Sequence, residues 1–186
     1  MALTNKASRV AYGEVFTPPE CVNFMLDMLP AEEWADPNRI FLEDSCGDGG
    51  FVIPIVERRY KALGSDLNAL RIALNTIHGW EIQQKHVDVC RHRLLRFVYS
   101  VTQDPEFIYY AMAVIGHHIR RRDSLKNHSI PRAFDELTEA ERAKKLAVCQ
   151  AIPWSEIEES CTVSELVLEE SSPPLPQAAS SCTQQK

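Results

Sequence analysis

Residues 41 to 52, FLEDSCGDGGFV, place three carboxylates, a thiol and three glycines directly after a short apolar run. A glycine-rich turn between a strand and a helix, at the carboxyl edge of a parallel sheet, lets a ligand approach backbone that side chains would otherwise cover. The surrounding charge restricts what that ligand can be. A dinucleotide fingerprint would need a third glycine where Val52 stands, and a phosphate-binding P-loop would need a Gly-Lys-Ser/Thr run that is absent. Glu43, Asp44 and Asp48 crowd the turn with negative charge, which repels phosphates and suits a ligand bearing an ammonium and a sulfonium. S-adenosylmethionine has that charge pattern. His86 and Cys90, one helical turn apart, lack the second pair that a zinc site needs, so Cys90 is read as core. No Gly-x-Ser-x-Gly elbow supports hydrolase chemistry.

The elements that would position these residues follow from periodicity and punctuation. Thr17-Pro18-Pro19-Glu20 reads as a capped helix start, with Thr17 as N-cap and Glu20 closing a capping box. Val22, Met25, Leu26 and Leu29 recur at helical spacing, and Pro30 marks the stop. A strand over Arg39 to Glu43, the glycine turn and a helix from Gly50 to Leu63 come next, with Pro54 near the first turn. A second strand, Thr76 to Glu81, leads into a long helix whose Val87, Cys90, Leu94 and Phe97 form one stripe. Asp104-Pro105 caps a further helix through Ile115, Ile119 to Asp123 reads as a third strand, and Thr138-Glu139-Ala140-Glu141 opens a helix to Gln150. This order predicts an α/β fold with a parallel sheet.

At 186 residues and 45% hydrophobic content, the chain is of a size to fold around one core. Six of the 26 acids but only one of the 20 bases lie from Ala151 onward, leaving 20 acids and 19 bases in residues 1 to 150. The net charge of −6 therefore belongs mostly to the end of the chain, whose acidic, Pro/Ser-rich composition predicts a disordered tail over 151–186. A nearly neutral body neither advertises nor excludes nucleic acid. The six cysteines are widely spread with no C-x-x-C pair, which favours free thiols. No run of 18 apolar residues occurs and the start lacks a signal-peptide layout, so the expectation is a cytoplasmic protein that does not enter a membrane.

Four segments, taken in order, resemble the gamma-arranged N6-adenine DNA methyltransferases, including the modification subunits of type I restriction systems. GEVFTPPECVNFMLDML (Gly13 to Leu29) is similar to the family's motif X, and EDSCGDGGF (Glu43 to Phe51) to motif I, D-P-A-C-G-S-G-G-F. HGWEIQQKHVDVCRHRL (His78 to Leu94) is similar to motif II, and IRRRDSL (Ile119 to Leu125), more distantly, to motif III. The resemblance implies a Rossmann-like methyltransferase fold, incomplete here, with about three parallel strands. It divides the chain into a motif X segment and helix (1–30), a cofactor-binding domain (31–150) and the tail. It also implies roles in holding S-adenosylmethionine. Phe16, Thr17 and Pro18 would line the methionine end, while Cys46, Gly47 and Gly49 form the turn that the cofactor approaches. Glu43 would face the ammonium, Glu81 would accept from the ribose hydroxyls, Ile82 would pack on the adenine, and Asp123 would accept from its amine. Glu43 stands where the family has Asp, and Asp48 where Ser or Thr is usual.

The family's catalytic motif, [DN]-P-P-[FY], is not found. The two Pro-Pro pairs are Pro18-Pro19, in motif X, and Pro173-Pro174, whose SPPL context lacks the aromatic residue and lies in the tail. The resemblance therefore implies methyl transfer to DNA only with a partner that brings the catalytic loop and the DNA reader. A missing fourth strand would also leave the first strand's edge open, to be covered by the helix from Thr138, a second copy or another protein. A split enzyme, a noncatalytic decoy or interaction protein, and a truncated remnant all accord with this sequence.

Overall fold

The structure, a computed structural model, describes residues 16–126 and 129–162. Three short strands, β1 (Phe41–Glu43), β2 (Ile77–Glu81) and β3 (Ile119–Arg121), form a parallel sheet in the order β1-β2-β3. The register pairs Phe41 with Ile77, Glu43 with Gly79, Gly79 with Ile119, and Glu81 with Arg121. Parallel neighbours need crossovers, and helices supply them. Between β1 and β2 lie α3 (Val52–Ala62) and α4 (Leu67–Asn75); between β2 and β3 lie α5 (Gln84–Val101) and α6 (Pro105–His118). Helices α1 (Pro19–Asp27) and α2 (Ala31–Ala35) precede the sheet, and α7 (Glu139–Gln150) and α8 (Trp154–Thr162) follow it. The α/β class and parallel sheet expected from the sequence are present.

Helix α1 begins one residue later than its sequence suggests, for a local reason. A residue before proline is pushed out of the helical region, and Pro18, ahead of Pro19, is extended at φ −57° and ψ 145°. Pro18 therefore becomes the N-cap, has no side-chain acceptor to offer, and Thr17 does not cap the helix. The other proposed starts hold: Asp104 accepts from the Glu106 N–H, and Thr138 and Glu141 form the reciprocal capping box of α7. The strands are shorter than expected, at three, five and three residues.

Three helices lie outside the sequence expectation: the five-residue α2, α4 and α8. The signal for α4 is Asp66, whose carboxylate accepts from the Ala69 N–H ahead of the buried Ala69, Leu70, Ala73 and Leu74. The stretch from Ala151, expected to be disordered, instead starts with α8, which buries Ile157 and Cys161 against α5. Residues 163–186, with the Pro173-Pro174 pair and the rest of the expected tail, lie outside the described residues. The five described cysteines are free thiols. Among the described residues no helix is long and apolar enough to cross a membrane.

Strand alternation divides β2 between two environments. Gly79 faces Cys46 and Ile119, on the side where Cys90 of α5 also packs. His78 points the other way and stacks on His118, with ring centroids 4.4 Å apart. The His118 ring is a fixed bridge: Nδ1–H donates to the Ile77 carbonyl (2.9 Å) and Nε2 accepts from the Phe134 N–H (2.9 Å). Those two bonds define a neutral tautomer that ties β2, α6 and the Phe134–Glu136 3-10 turn together. A second knot joins α4, α6 and the same turn, where Asn75 and Tyr110 share hydrogen bonds and Asp135 takes Arg71 at 2.7 Å. Arg59 of α3, fully buried, donates to the Glu33 and Trp34 carbonyls and lies over the Phe41 ring, fastening α2 and β1 to α3.

The outer side of β1 has no strand beside it among the described residues. Helix α7 does not fill that place; it packs on α6. Ile40 and Leu42 consequently stay 51% and 38% exposed.

The histidine core dictates a pH response. Burial, followed by neighbouring positive groups, lowers His78 to about 4, and burial lowers His118 to about 3, from an ordinary 6.5. His92 and His117 are shifted in the same direction, mainly by burial. Because these pKa values are depressed on folding, the unfolded chain takes up protons first. Stability is then full above about pH 6.5 and declines as the pH falls toward the folded values, by up to about 1.4 kcal/mol per pH unit for each of His78 and His118. The thermal midpoint should fall steadily between about pH 7 and about pH 5. A flat profile would show that His78 and His118 are not held neutral in the folded chain.

Candidate functional site

The glycine turn closes on the carboxyl end of β2. The Cys46 N–H donates to the Trp80 carbonyl (2.8 Å), extending the β1–β2 ladder into the turn. The Gly47 N–H then donates to Glu81 Oε2 (3.2 Å), while Glu81 Oε1 accepts the Gln83 N–H (2.8 Å). One carboxylate at the strand end thus binds both the glycine turn and the start of α5. Each of its oxygens keeps a further acceptor position, since a carboxylate offers about four in all.

Two glycines in the turn serve different purposes. Gly47 has φ +52°, and among the described residues the atom near the place of a missing Cβ is Phe16 Cε1, at 3.5 Å. Its backbone is held open beside an aromatic ring. Gly49 has φ +96°, and a Cβ there would stand 2.4 Å from Ile53 Cδ1 and 2.9 Å from Cys90 Sγ. Gly49 is therefore needed for close packing of the turn on α3 and α5. Phe16 is 44% exposed and meets His86 of α5 edge-on, with centroids 5.7 Å apart. Thr17 and Pro18 are exposed next to it.

The charges differ from what the bare sequence suggests. Asp48 is matched by Arg93 of α5, whose Nη1 lies 3.2 Å from the Asp48 carboxylate and 3.0 Å from its carbonyl. Arg93 is the functional neighbour that motif reading misses, because only the folded α5 brings it across 45 residues to the turn. Glu43 is partly buried; desolvation, with Asp44 adding to it, raises its pKa against a backbone hydrogen bond at Ser45 that lowers it. Cys46 is buried, and its hydrogen bond with Cys90, then burial, raise its thiol far above the ordinary range, so it is a packing residue and not a nucleophile.

The remaining proposed residues lie at the ends of β2 and β3. Ile82 is exposed, and its carbonyl accepts from Arg121 Nε (3.1 Å). Asp123 is occupied within its own turn, accepting the Leu125 N–H (3.1 Å) and pairing with Lys126 (3.0 Å). Phe16, Gly47, Glu81 and the packing residues Cys46 and Gly49 are brought together directly; the recorded bonds of Asp123 do not join it to them. Comparison of the chain with protein-family models, curated proteins and solved structures finds no match.

The turn geometry sets a test of its own. Gly49→Ala forces a side chain into a positive-φ position and against Ile53 and Cys90. The expected loss of stability is on the order of 1–3 kcal/mol, measurable by denaturant unfolding. Gly50→Ala should be milder, because among the described residues a Cβ there would meet only Asp48 Oδ1, at 3.9 Å. Equal stability of Gly49→Ala and the parent would remove close packing as the reason for that glycine.

Proposed function

We propose that this chain is an S-adenosylmethionine-binding, Rossmann-like domain related to the N6-adenine DNA methyltransferases, working with a partner that supplies the catalytic loop and the DNA reader. The observation that carries this reading is the meeting of three separate motif segments at Gly47, whose N–H is taken by Glu81 and whose backbone lies beside Phe16. The sheet order β1-β2-β3 with helical crossovers supports the Rossmann-like assignment.

The residues fit the cofactor on three counts. The open backbone at Gly47 offers close approach beside Phe16. Glu81 has spare acceptor positions for the two ribose hydroxyls, and the exposed Ile82 offers an apolar face to an adenine ring. Glu43, whose proton affinity is raised by burial, would regain its charge beside an ammonium. Asp123 would have to leave its turn to serve as the adenine acceptor, and Arg93 offsets part of the negative charge. When bound, S-adenosylmethionine supplies an electrophilic methyl group on a sulfonium. The chain's own contribution is binding and orientation.

The partner reading rests on β1, whose exposed Ile40 and Leu42 border an edge with no strand beside it among the described residues. A strand added there, followed by an N-P-P-[FY] loop, would complete the site, and a cytoplasmic location accords with such an assembly. The same edge serves the second reading, a noncatalytic decoy that pairs with a complete methyltransferase.

Calorimetric titration with S-adenosylmethionine and, separately, S-adenosylhomocysteine tests the proposal. Micromolar binding is expected, and no binding by a folded chain would overturn it. Glu81→Ala should weaken binding by on the order of 1–3 kcal/mol, while unchanged affinity would remove Glu81 from the ribose site.

A further inference from the structure

Helix α1 turns its larger apolar side outward. Val22 and Leu26 are its buried residues, whereas Phe24, Met25 and Met28 are 68%, 52% and 72% exposed and Cys21 is an exposed free thiol. At about 3.6 residues per turn these four side chains share one face, with the i, i+3, i+4, i+7 spacing of a seam between helices. Other strongly exposed apolar side chains, such as Leu67, Leu125 and Val148, stand singly along the chain. Single exposed residues need no explanation, but a contiguous apolar stripe marks an interaction surface.

The charges beside the stripe restrict what covers it. The charged residues of α1 are Glu20 and Asp27, and those of α2 are Glu32 and Glu33; neither helix has a lysine or arginine. Both acids of α1 fall to one side of the stripe by helical position, and Asp27 is held by Arg58 at 2.6 Å. Helices with acids and no bases are repelled by an anionic membrane surface, and a stripe free of carboxylates offers a basic segment no charge to pair with. A second surface of the same composition does fit. The spacing along the stripe reads the same in both directions: three residues from Cys21 to Phe24, one to Met25 and three to Met28.

We propose that α1 docks on α1 of a second copy of this chain, antiparallel, about a two-fold axis passing between Phe24 and Met25. That axis sets Phe24 against the partner's Met25 on each side, a contact of thioether with aromatic ring, and Cys21 against the partner's Met28. It also sets Glu20 level with the partner's Leu29 and Asp27 level with the partner's Val22, so no acid faces an acid and no charge is buried. A self-complementary patch of this kind closes at two copies. Four side chains from each copy make a small interface, so the dimer is weak and depends on concentration. The β1 edge plays no part in it, and the assignment does not rest on the cofactor reading.

The first measurement is sedimentation equilibrium of the full chain under reducing conditions over a range of concentrations. A monomer–dimer equilibrium is expected, with its dissociation constant raised more than about tenfold by Phe24→Glu or Met28→Glu. Both positions are exposed, so the thermal midpoint of each variant at low concentration should stay that of the parent. Cross-linking reads the geometry separately. Mild oxidation of the parent mixed with a Cys21→Ser/Met28→Cys variant should join Cys21 of one copy to position 28 of the other, located by peptide mass spectrometry. A parent that stays monomeric, a dimer untouched by either glutamate, or a disulfide between two Cys21 thiols overturns the proposal. So does a monomer that floats with phosphatidylcholine vesicles, which would give the stripe to a membrane.

Discussion

The close approach of the glycine turn to α5 is the constraint on which the candidate site depends. Gly49 leaves no room for a side chain between the turn, Ile53 and Cys90, and Gly79 leaves none between β2, Cys46 and Ile119. Small groups at these places let the backbone of the turn settle on the end of β2. Only then can the Gly47 N–H reach Glu81, and only then does the open face of Gly47 come to lie beside Phe16. A larger residue at position 49 or 79 would lift the turn, and the carboxylate would lose one of the two backbone donors that orient it.

Charge is distributed around this contact in two zones. The glycine turn carries acids, one of which, Asp48, is matched by Arg93. The end of β3 carries three arginines around a groove whose other described lining residues are Ser129 and Pro131. The two zones follow β1 and β3, the strands on either side of β2, so the nearly neutral total for residues 1 to 150 hides an uneven distribution of charge along that end of the sheet. The sheet ends differently on its two sides as well: β3 leads into the groove lined by arginines, whereas β1 has no strand on its outer side among the described residues and leaves Ile40 and Leu42 exposed.

Much of the fold was legible because the relevant signals are local. Asp104-Pro105 and Thr138-x-x-Glu141 cap helices through bonds within three residues, and the Val87, Cys90, Leu94 stripe is one face of one helix. The misses have physical causes. Thr17 reads as a cap, yet the Pro18-Pro19 pair forces the extended conformation one residue further on. Helix α8 reads as acidic tail because its few apolar residues matter only once α5 is there to bury Ile157 and Cys161.

By itself the sequence determined the order of the three strands and of helices α1, α3, α5, α6 and α7, and the turn between β1 and α3. Those follow from spacing and from backbone freedom, which act over a few residues. The grouping of Phe16, Gly47, Glu81 and Ile82 is what the family resemblance implies. Tertiary structure alone decided that Glu81 binds the Gly47 N–H, that Arg93 neutralises Asp48, that His118 is a neutral bridge, and that three arginines share a groove with Ser129. Each joins groups from different elements, and a carboxylate, imidazole or guanidinium acquires its charge partners and its hydration only when packing has placed those elements side by side.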